Sequence, residues 1–398
     1  MPRYHRLGEL PRKHHIAFRK PDGGLYAEQL FSTEGFSGPM STLYHINLPT
    51  EVSGWEDAGS VKPTYLDDEA LRHRHLKTKR VPAKGCAITG RVPLMGNNDC
   101  EWNQVHAAEP MKWFYKNSDG DEILYIHDGA GTLTSMFGSV EFRTGDYLVI
   151  PKGCIYRIDF DAYPVHMLAI VSYGPVSIPR RYRNEYGQIL EHAPYKERDI
   201  RPPTELPVFD ERTETKVMIR TRHRHTLYTY PYHVLDVVGW DGYVFPFAFN
   251  INDFQPITGA IHMPPPIHQT FQGHNFVICS FCPRVLDYHP EAIKVPYNHS
   301  NIDSDEILYY CNDKFGSRKG IEEGSITIHP LGIPHGPQPG AVEASFGAQR
   351  TEELAVMLDT YYPLKLTAAA LEIEDPEYWK SWLKKVELPP GTAEMTGD

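Results

Sequence analysis

The sequence predicts a mostly β protein in which one unit of strands is built twice, and three observations carry that expectation. Short apolar or alternating runs, such as "YLVIPKGCIYRIDF", "VHMLAIVSYG", "GSITIHP" and "ELAVMLDTYY", have the period and length of strands. The 34 prolines and 31 glycines supply turns between them, and 24 tyrosines suit pleated, half-buried positions. The block Asp121-Glu122-Ile123-Leu124-Tyr125 recurs as Asp305-Glu306-Ile307-Leu308-Tyr309. A repeated block of this kind marks one supersecondary unit used twice.

In chain order, each copy of the block reads as a glutamate-bearing strand. About 30 residues further on comes a second strand, entered from a glycine turn and left through Pro-x-Gly. "GDYLVIPKGCIY" (Gly145 to Tyr156) aligns without a gap on "GSITIHPLGIPH" (Gly324 to His335), with Gly145, Pro151 and Gly153 matching Gly324, Pro330 and Gly332. Between the copies, "YKERDIRPPTELPVFDERTE" is charged, Pro-bearing and aperiodic, which predicts a division into residues 1–200 and 201–398. "NFVICSFCP" reads as a strand with Cys279 and Cys282 on opposite faces, which disfavours a redox or metal pair. Helical signals are few. The best is near the end, where Asp375 is placed to N-cap, Pro376 takes the first helical position and "EYWKSWLKK" follows.

Composition bounds the function classes. The chain has 398 residues, 41% hydrophobic and 23% charged, the balance of a globular protein with a sizeable core. Its formal charge of -11 argues against a nucleic-acid or anionic-membrane partner, because phosphate binding needs a basic face. No apolar run approaches the roughly 20 residues that span a bilayer, and "MPRYHRLGELPRKHH" lacks the apolar segment of a secretory signal. Six cysteines in this length are no disulfide framework, so a cytoplasmic location is expected. The two "RHRH" runs (His73 and His75, His223 and His225) sit among cations in polar stretches and read as exposed rather than ligating.

The order of strand pairs and glycine turns resembles the cupin small barrel, here duplicated as a bicupin. The cupin metal pattern puts histidines and a glutamate on the first strand pair and a last histidine on the second. In the second half those places hold His299, Glu306 and His335; in the first they hold Tyr115, Glu122 and Tyr156. Two imidazoles and one carboxylate on one face of an octahedral ion suit non-haem Fe(II) and leave positions open for substrate and O₂. The same donor set also serves catalytic zinc, so a Zn or Mn bicupin isomerase or hydrolase is a second reading. The N-terminal unit is expected to hold no metal, with Glu122 a hydrogen-bonded or solvated strand residue. A storage or binding cupin is disfavoured, because the ligand set of the second half is intact.

Four segments, "DVVGWDGYVFPFAFNINDF" (Asp236 to Phe254), "IHMPPPIHQTF", "PYNHSN" and "HPLGIPHGP", together resemble the homogentisate 1,2-dioxygenases. The resemblance implies that His299, Glu306 and His335 hold Fe(II), that His262 is a general base, and that His329 hydrogen-bonds the bound phenol. It implies cleavage of homogentisate by O₂ to maleylacetoacetate, within tyrosine and phenylalanine degradation, by a homo-oligomer of trimers or hexamers. The chemistry is coherent: a phenol of pKa about 10 must lose a proton to bind iron well, and a histidine near 6.5 is a suitable acceptor.

Two features depart from the family pattern. The gap from His299 to Glu306 is one residue longer. Where a Tyr and then a Lys are expected after the glutamate, the chain offers Phe315, then Arg318 and Lys319. Those two cations are the candidates for reading the substrate's carboxylate. Gentisate or another hydroquinone acid is therefore an alternative substrate.

Overall fold

The computed structural model describes residues 3–67, 69–318 and 320–383. The duplication predicted from the repeated block is visible in the strand order. In the first unit the strands Asp146–Ile150, Asp121–Ile126, Val165–Ser172, Cys100–Ala107 and Arg91–Gly96 lie side by side in that order. In the second unit Ser325–His329, Asp305–Tyr310, Ala355–Thr360, Phe276–Phe281 and Gln269–Gln272 lie side by side in the matching order. All of these neighbours pair antiparallel.

The register repeats as well. Glu122 faces Ile150 across the first strand pair, and Glu306 faces His329 across the second. Tyr115 pairs with Tyr156, and His299 pairs with His335. The turn glycines Gly145 and Gly324 have φ of 85° and 80°, in the left-handed region that a side chain disfavours. An identical backbone demand thus underlies their recurrence in the sequence.

The period-two alternation of a strand sorts side chains between two environments. In Asp305–Tyr310, Ile307 and Tyr309 face the main core, while Leu308 and Tyr310 belong to a smaller cluster with Cys279 and Met357 inside the second barrel. Tyr125 and Tyr309, the last residues of the two repeated blocks, meet edge to face at 6.2 Å. The two barrels share one apolar core through that contact region, with Ile123 and Tyr125 from one side and Ile307 and Tyr309 from the other.

Residue 200 does not divide the sheets. The strand Phe247–Asn250 extends the first unit by pairing with Asp146–Ile150, and Arg74–Lys77 extends the second by pairing with Ser325–His329. Each unit therefore lends a strand to the other. Thr215–Thr221 likewise runs parallel to Phe114–Asn117 in the outer sheet of the first unit. Only the tertiary pairing places these strands, because each is too short to declare its partner.

Helix is scarce, as expected: among the described residues the α-helices are Ala341–Ser345 and Ala368–Glu372. The expected C-terminal helix is a 3-10 turn over Tyr378–Trp382, and Asp375 accepts from the backbone N–H of Glu377 ahead of it instead of capping an α-helix. The remainder of that segment, from Lys384, lies outside the described residues. Tyr378 packs on His75 and Trp382 on His73, with ring centroids 5.3 and 4.7 Å apart. No helix among the described residues is long and apolar enough to cross a membrane.

Candidate metal centre

Two loops and one strand bring three donors together. His299 and His335 exchange both backbone hydrogen bonds, N–H to O at 2.8 and 2.9 Å, so the two loops are pinned as a single bridge. Gly336 is what allows this approach: a Cβ there would lie 2.2 Å from Asn298 Oδ1 and 2.8 Å from Asn298 Cα. Glu306 enters from the adjacent strand. The ligand atoms of His299, Glu306 and His335 all lie within 4.8 Å of one another, and no other such His/Cys/Asp/Glu group is found among the described residues. His335 Nε2 is 3.4 Å and His299 Nε2 3.6 Å from the Glu306 carboxylate.

The polar atoms at this point are short of partners. His299 Nε2 and both ring nitrogens of His335 are buried without a hydrogen bond. A buried nitrogen left unpaired costs free energy unless something else satisfies it. His299 is oriented by Nδ1 against the Tyr297 carbonyl at 3.0 Å, which leaves Nε2 directed at the shared point. Burial alone would raise the pKa of Glu306, but the imidazoles of His299, His329 and His335 gathered around it, His329 through a hydrogen bond, outweigh burial and hold the carboxyl well below its usual range. An anionic carboxylate and two lone-pair nitrogens are a donor set for a divalent cation, so the residues fit a metal.

His329 lies behind this group. It is completely buried, stacks on His335 at 4.6 Å, and bonds Glu306 Oε1 through Nδ1 at 2.7 Å. Its place is therefore behind the carboxylate, off the cavity wall, and its geometry suits orienting Glu306 better than touching a bound phenol. Burial depresses its pKa to about 3, so the imidazole is neutral.

The centre opens into a cavity of about 770 Å³. Its wall is apolar around Leu308, Met357, Phe281 and Phe315, and polar near the donors. His262 stands at the wall on an exposed loop, its ring 4.6 Å from that of Tyr297, the residue two before His299. Arg318 also lines the cavity. It donates to the Ser317 and Gly336 carbonyls and packs over Trp382 at 5.6 Å, close beside His335. Lys319 lies outside the described residues.

Several neighbours were not legible in the sequence. The "RHRH" runs are packed, contrary to the expectation of exposure. His75 is buried and bonds Ser325 at 2.8 Å, and His225 packs on Tyr115 at 5.8 Å. His223 is half-buried beside Glu101 at 3.3 Å. His73 reaches the metal centre itself, 5.5 Å from His329 and 6.1 Å from His335 between ring centroids. Burial by a distant strand decides this, and nothing local in the sequence signals it. His268 is an unforeseen residue of the cavity wall, buried against Phe281 and held at a pKa of about 3 by burial.

The first barrel treats its glutamate differently. Glu122 is fully buried and accepts from the Arg91 guanidinium, the Tyr156 hydroxyl and Asn117 Nδ2. Desolvation opposes its charge, but Arg91 and these hydrogen bonds overcome that and lower its pKa. Arg91 also lies over the Tyr115 ring at 5.6 Å. A cation from the chain itself thus satisfies the carboxylate: of the two expectations for Glu122 the hydrogen-bonded one holds, and the residue is not solvated.

The chain is similar to known proteins over most of its length. Residues 85–251 match the "Homogentisate 1,2-dioxygenase N-terminal" family and residues 257–387 the "Homogentisate 1,2-dioxygenase C-terminal" family. A provisionally named dioxygenase of Saccharolobus solfataricus is 41% identical, over 95% of this chain and 98% of its own length. Homogentisate 1,2-dioxygenases of Bradyrhizobium diazoefficiens and Rhodopseudomonas palustris are 26% and 27% identical, covering 92% and 90% of this chain and 88% and 86% of theirs. Among solved structures, a cupin 2 conserved barrel protein of Leptotrichia buccalis covers 74% of this chain and 98% of its own, with 11% identity and a TM-score of 0.33. A Bacillus subtilis oxalate decarboxylase variant also covers 74% of this chain, and 79% of its own, with 11% identity and a TM-score of 0.35. The fold is a mostly β bicupin, and the chain belongs to the homogentisate 1,2-dioxygenase family of metal-dependent dioxygenases.

Proposed function

We propose that the chain cleaves the ring of homogentisate with O₂ at an Fe(II) ion held by His299, Glu306 and His335, giving maleylacetoacetate in the cytoplasm. The observation that carries this reading is the convergence of two partnerless imidazole nitrogens, His299 Nε2 and His335 Nε2, on the Glu306 carboxylate beside an apolar cavity. Bound Fe(II) would supply the redox chemistry that lets ground-state O₂ react with the ring.

The chain's own residues do the rest. The apolar wall formed by Leu308, Met357 and Phe315 excludes water from the ring and leaves the polar end for its hydroxyl groups. His262 takes the phenolic proton from the cavity side; a deprotonated oxygen is the better ligand at neutral pH. His329 holds the Glu306 carboxylate in place through its 2.7 Å bond. Arg318, on the same wall as the metal donors, supplies the charge-assisted donor for the substrate's carboxylate.

Oxygen consumption tests this with homogentisate, gentisate and a neutral hydroquinone under added Fe(II), alongside metal analysis after anaerobic purification. Uptake is expected with homogentisate above the other two, with iron near one per chain. Uptake with gentisate alone would move the substrate within the class. Zinc or manganese with no uptake would replace the reading with hydrolytic or isomerase chemistry.

A further inference from the structure

The first barrel is a built-in control for the second, because the same strands recur in the same register with and without the metal donors. Position by position, Tyr115 stands for His299, Tyr156 for His335 and Ile150 for His329. One more difference remains. On the far side of the glutamate strand, Glu122 pairs with Val171, whereas Glu306 pairs with Asp359.

Val171 is wholly buried, so this place in the fold is satisfied by an apolar side chain. Nothing in the barrel architecture demands a carboxyl there. Yet in the second barrel Asp359 lies on the cavity wall, one strand across from Glu306, with Val277 as its other cross-strand neighbour. Its Oδ1 is buried and has no hydrogen-bond partner, while the side chain as a whole stays part-exposed on the wall. A buried carboxyl oxygen without a donor is costly and rare unless a ligand supplies the donor.

We propose that Asp359 is a substrate-specificity residue, whose buried carboxyl Oδ1 accepts a hydrogen bond from a ring hydroxyl of the aromatic substrate beside the metal position. The inference rests on the function proposed above and adds to it the group that distinguishes a hydroxylated ring from a bare one. A site built around a buried acceptor rejects the analogue that lacks the matching donor, since the acceptor is then left unpaired. The substrate class is accordingly a phenol whose free O–H reaches Asp359, with an unhydroxylated aryl acid selected against.

The test uses the full chain loaded with Fe(II) under anaerobic conditions and measures dissociation constants. The four ligands are 2,5-dihydroxyphenylacetate, 2-hydroxyphenylacetate, 3-hydroxyphenylacetate and phenylacetate. The variants are Asp359→Val, which copies the first barrel's residue, and Asp359→Asn, which keeps the shape. Asp359→Val is expected to weaken the dihydroxy acid and one monohydroxy acid by about 10- to 100-fold, leaving the other two ligands unchanged. Asp359→Asn should restore part of that loss, and both variants should keep wild-type iron content and a melting temperature no lower than that of the wild type. Equal weakening of all four ligands, or none, would overturn the proposal, as would loss of iron from both variants. A wild type that holds iron but binds no dihydroxy acid would overturn the proposed function and this inference together, which separates that failure from a variant-specific one.

Discussion

His299, Glu306 and His335 contribute one donor each to a three-point set, so loss of any one leaves two. Replacing each by Ala should strip most of the iron and abolish ring cleavage, because a two-donor site binds a divalent ion weakly. Iron retained at one per chain in all three variants would contradict the assignment. His262 is different: it stands on the cavity wall outside the donor cluster. His262→Ala should keep the iron and lose roughly 10²- to 10⁴-fold in rate, the usual worth of a positioned base. The defect should shrink as pH approaches the phenol's own pKa, and a rate profile of the variant from neutral to alkaline pH checks this. A loss that stays constant with pH would leave His262 a positioning role only.

At the scale of elements, the ligand loops and the strand pairs each depend on one local feature. Gly336→Ala would drive a methyl group into Asn298 beside His299, so the bridge between the two histidine loops must widen. The expected result is weaker metal binding with the barrels still folded, read by metal titration and circular dichroism. Unchanged affinity would show that the loops yield without cost. In the first barrel the buried Glu122–Arg91 pair stands where the second barrel has the candidate donor group around Glu306. Glu122→Gln removes one charge and strands the buried Arg91 guanidinium, a change that costs about 3–5 kcal/mol in comparable buried pairs. Denaturant unfolding should show that loss while iron content stays at the wild-type value. A stability change within about 0.5 kcal/mol, the range of neutral surface substitutions, would mean that the pair is not held as described.

For the whole molecule, buried neutral imidazoles set the response to acid. Burial lowers the pKa of His75 and His106 to about 4 and that of His268 to about 3. In the unfolded chain these groups titrate near 6.5, so the unfolded state takes up protons first as pH falls. Above about 6.5 they add no pH dependence; below it stability declines until the folded pKa is reached. At pH 5 each costs about 2 kcal/mol relative to pH 7.5, being 1.5 pH units below the unfolded pKa. The melting temperature should therefore drop steeply between pH 7 and pH 5. His106→Gln should make that slope shallower, and a melting temperature flat across this range would refute the account.

Much of the site was readable in the sequence because its signals are local and repeated. The strand periodicity of "DEILYY", the turn glycines Gly324 and Gly332, and the His–Glu–His spacing follow from the conformations those residues adopt over a few positions. The second copy of the block supplied the register. What remained hidden was contact between segments not adjacent in sequence: His73 against His335, Trp382 over Arg318, Arg91 on Glu122, and Asp359 across from Glu306. A polar run such as "RHRH" looks exposed by composition, yet Arg74–Lys77 is buried because it completes the sheet of the other barrel. The sequence by itself determined a duplicated β fold and singled out His299, Glu306 and His335 as candidate donors, because backbone preference and ligand chemistry reside in single residues and short spacings. The tertiary structure alone decided that a guanidinium, Arg91, satisfies Glu122 and that His73 and Asp359 border the Glu306 group, because such contacts depend on which strands lie side by side.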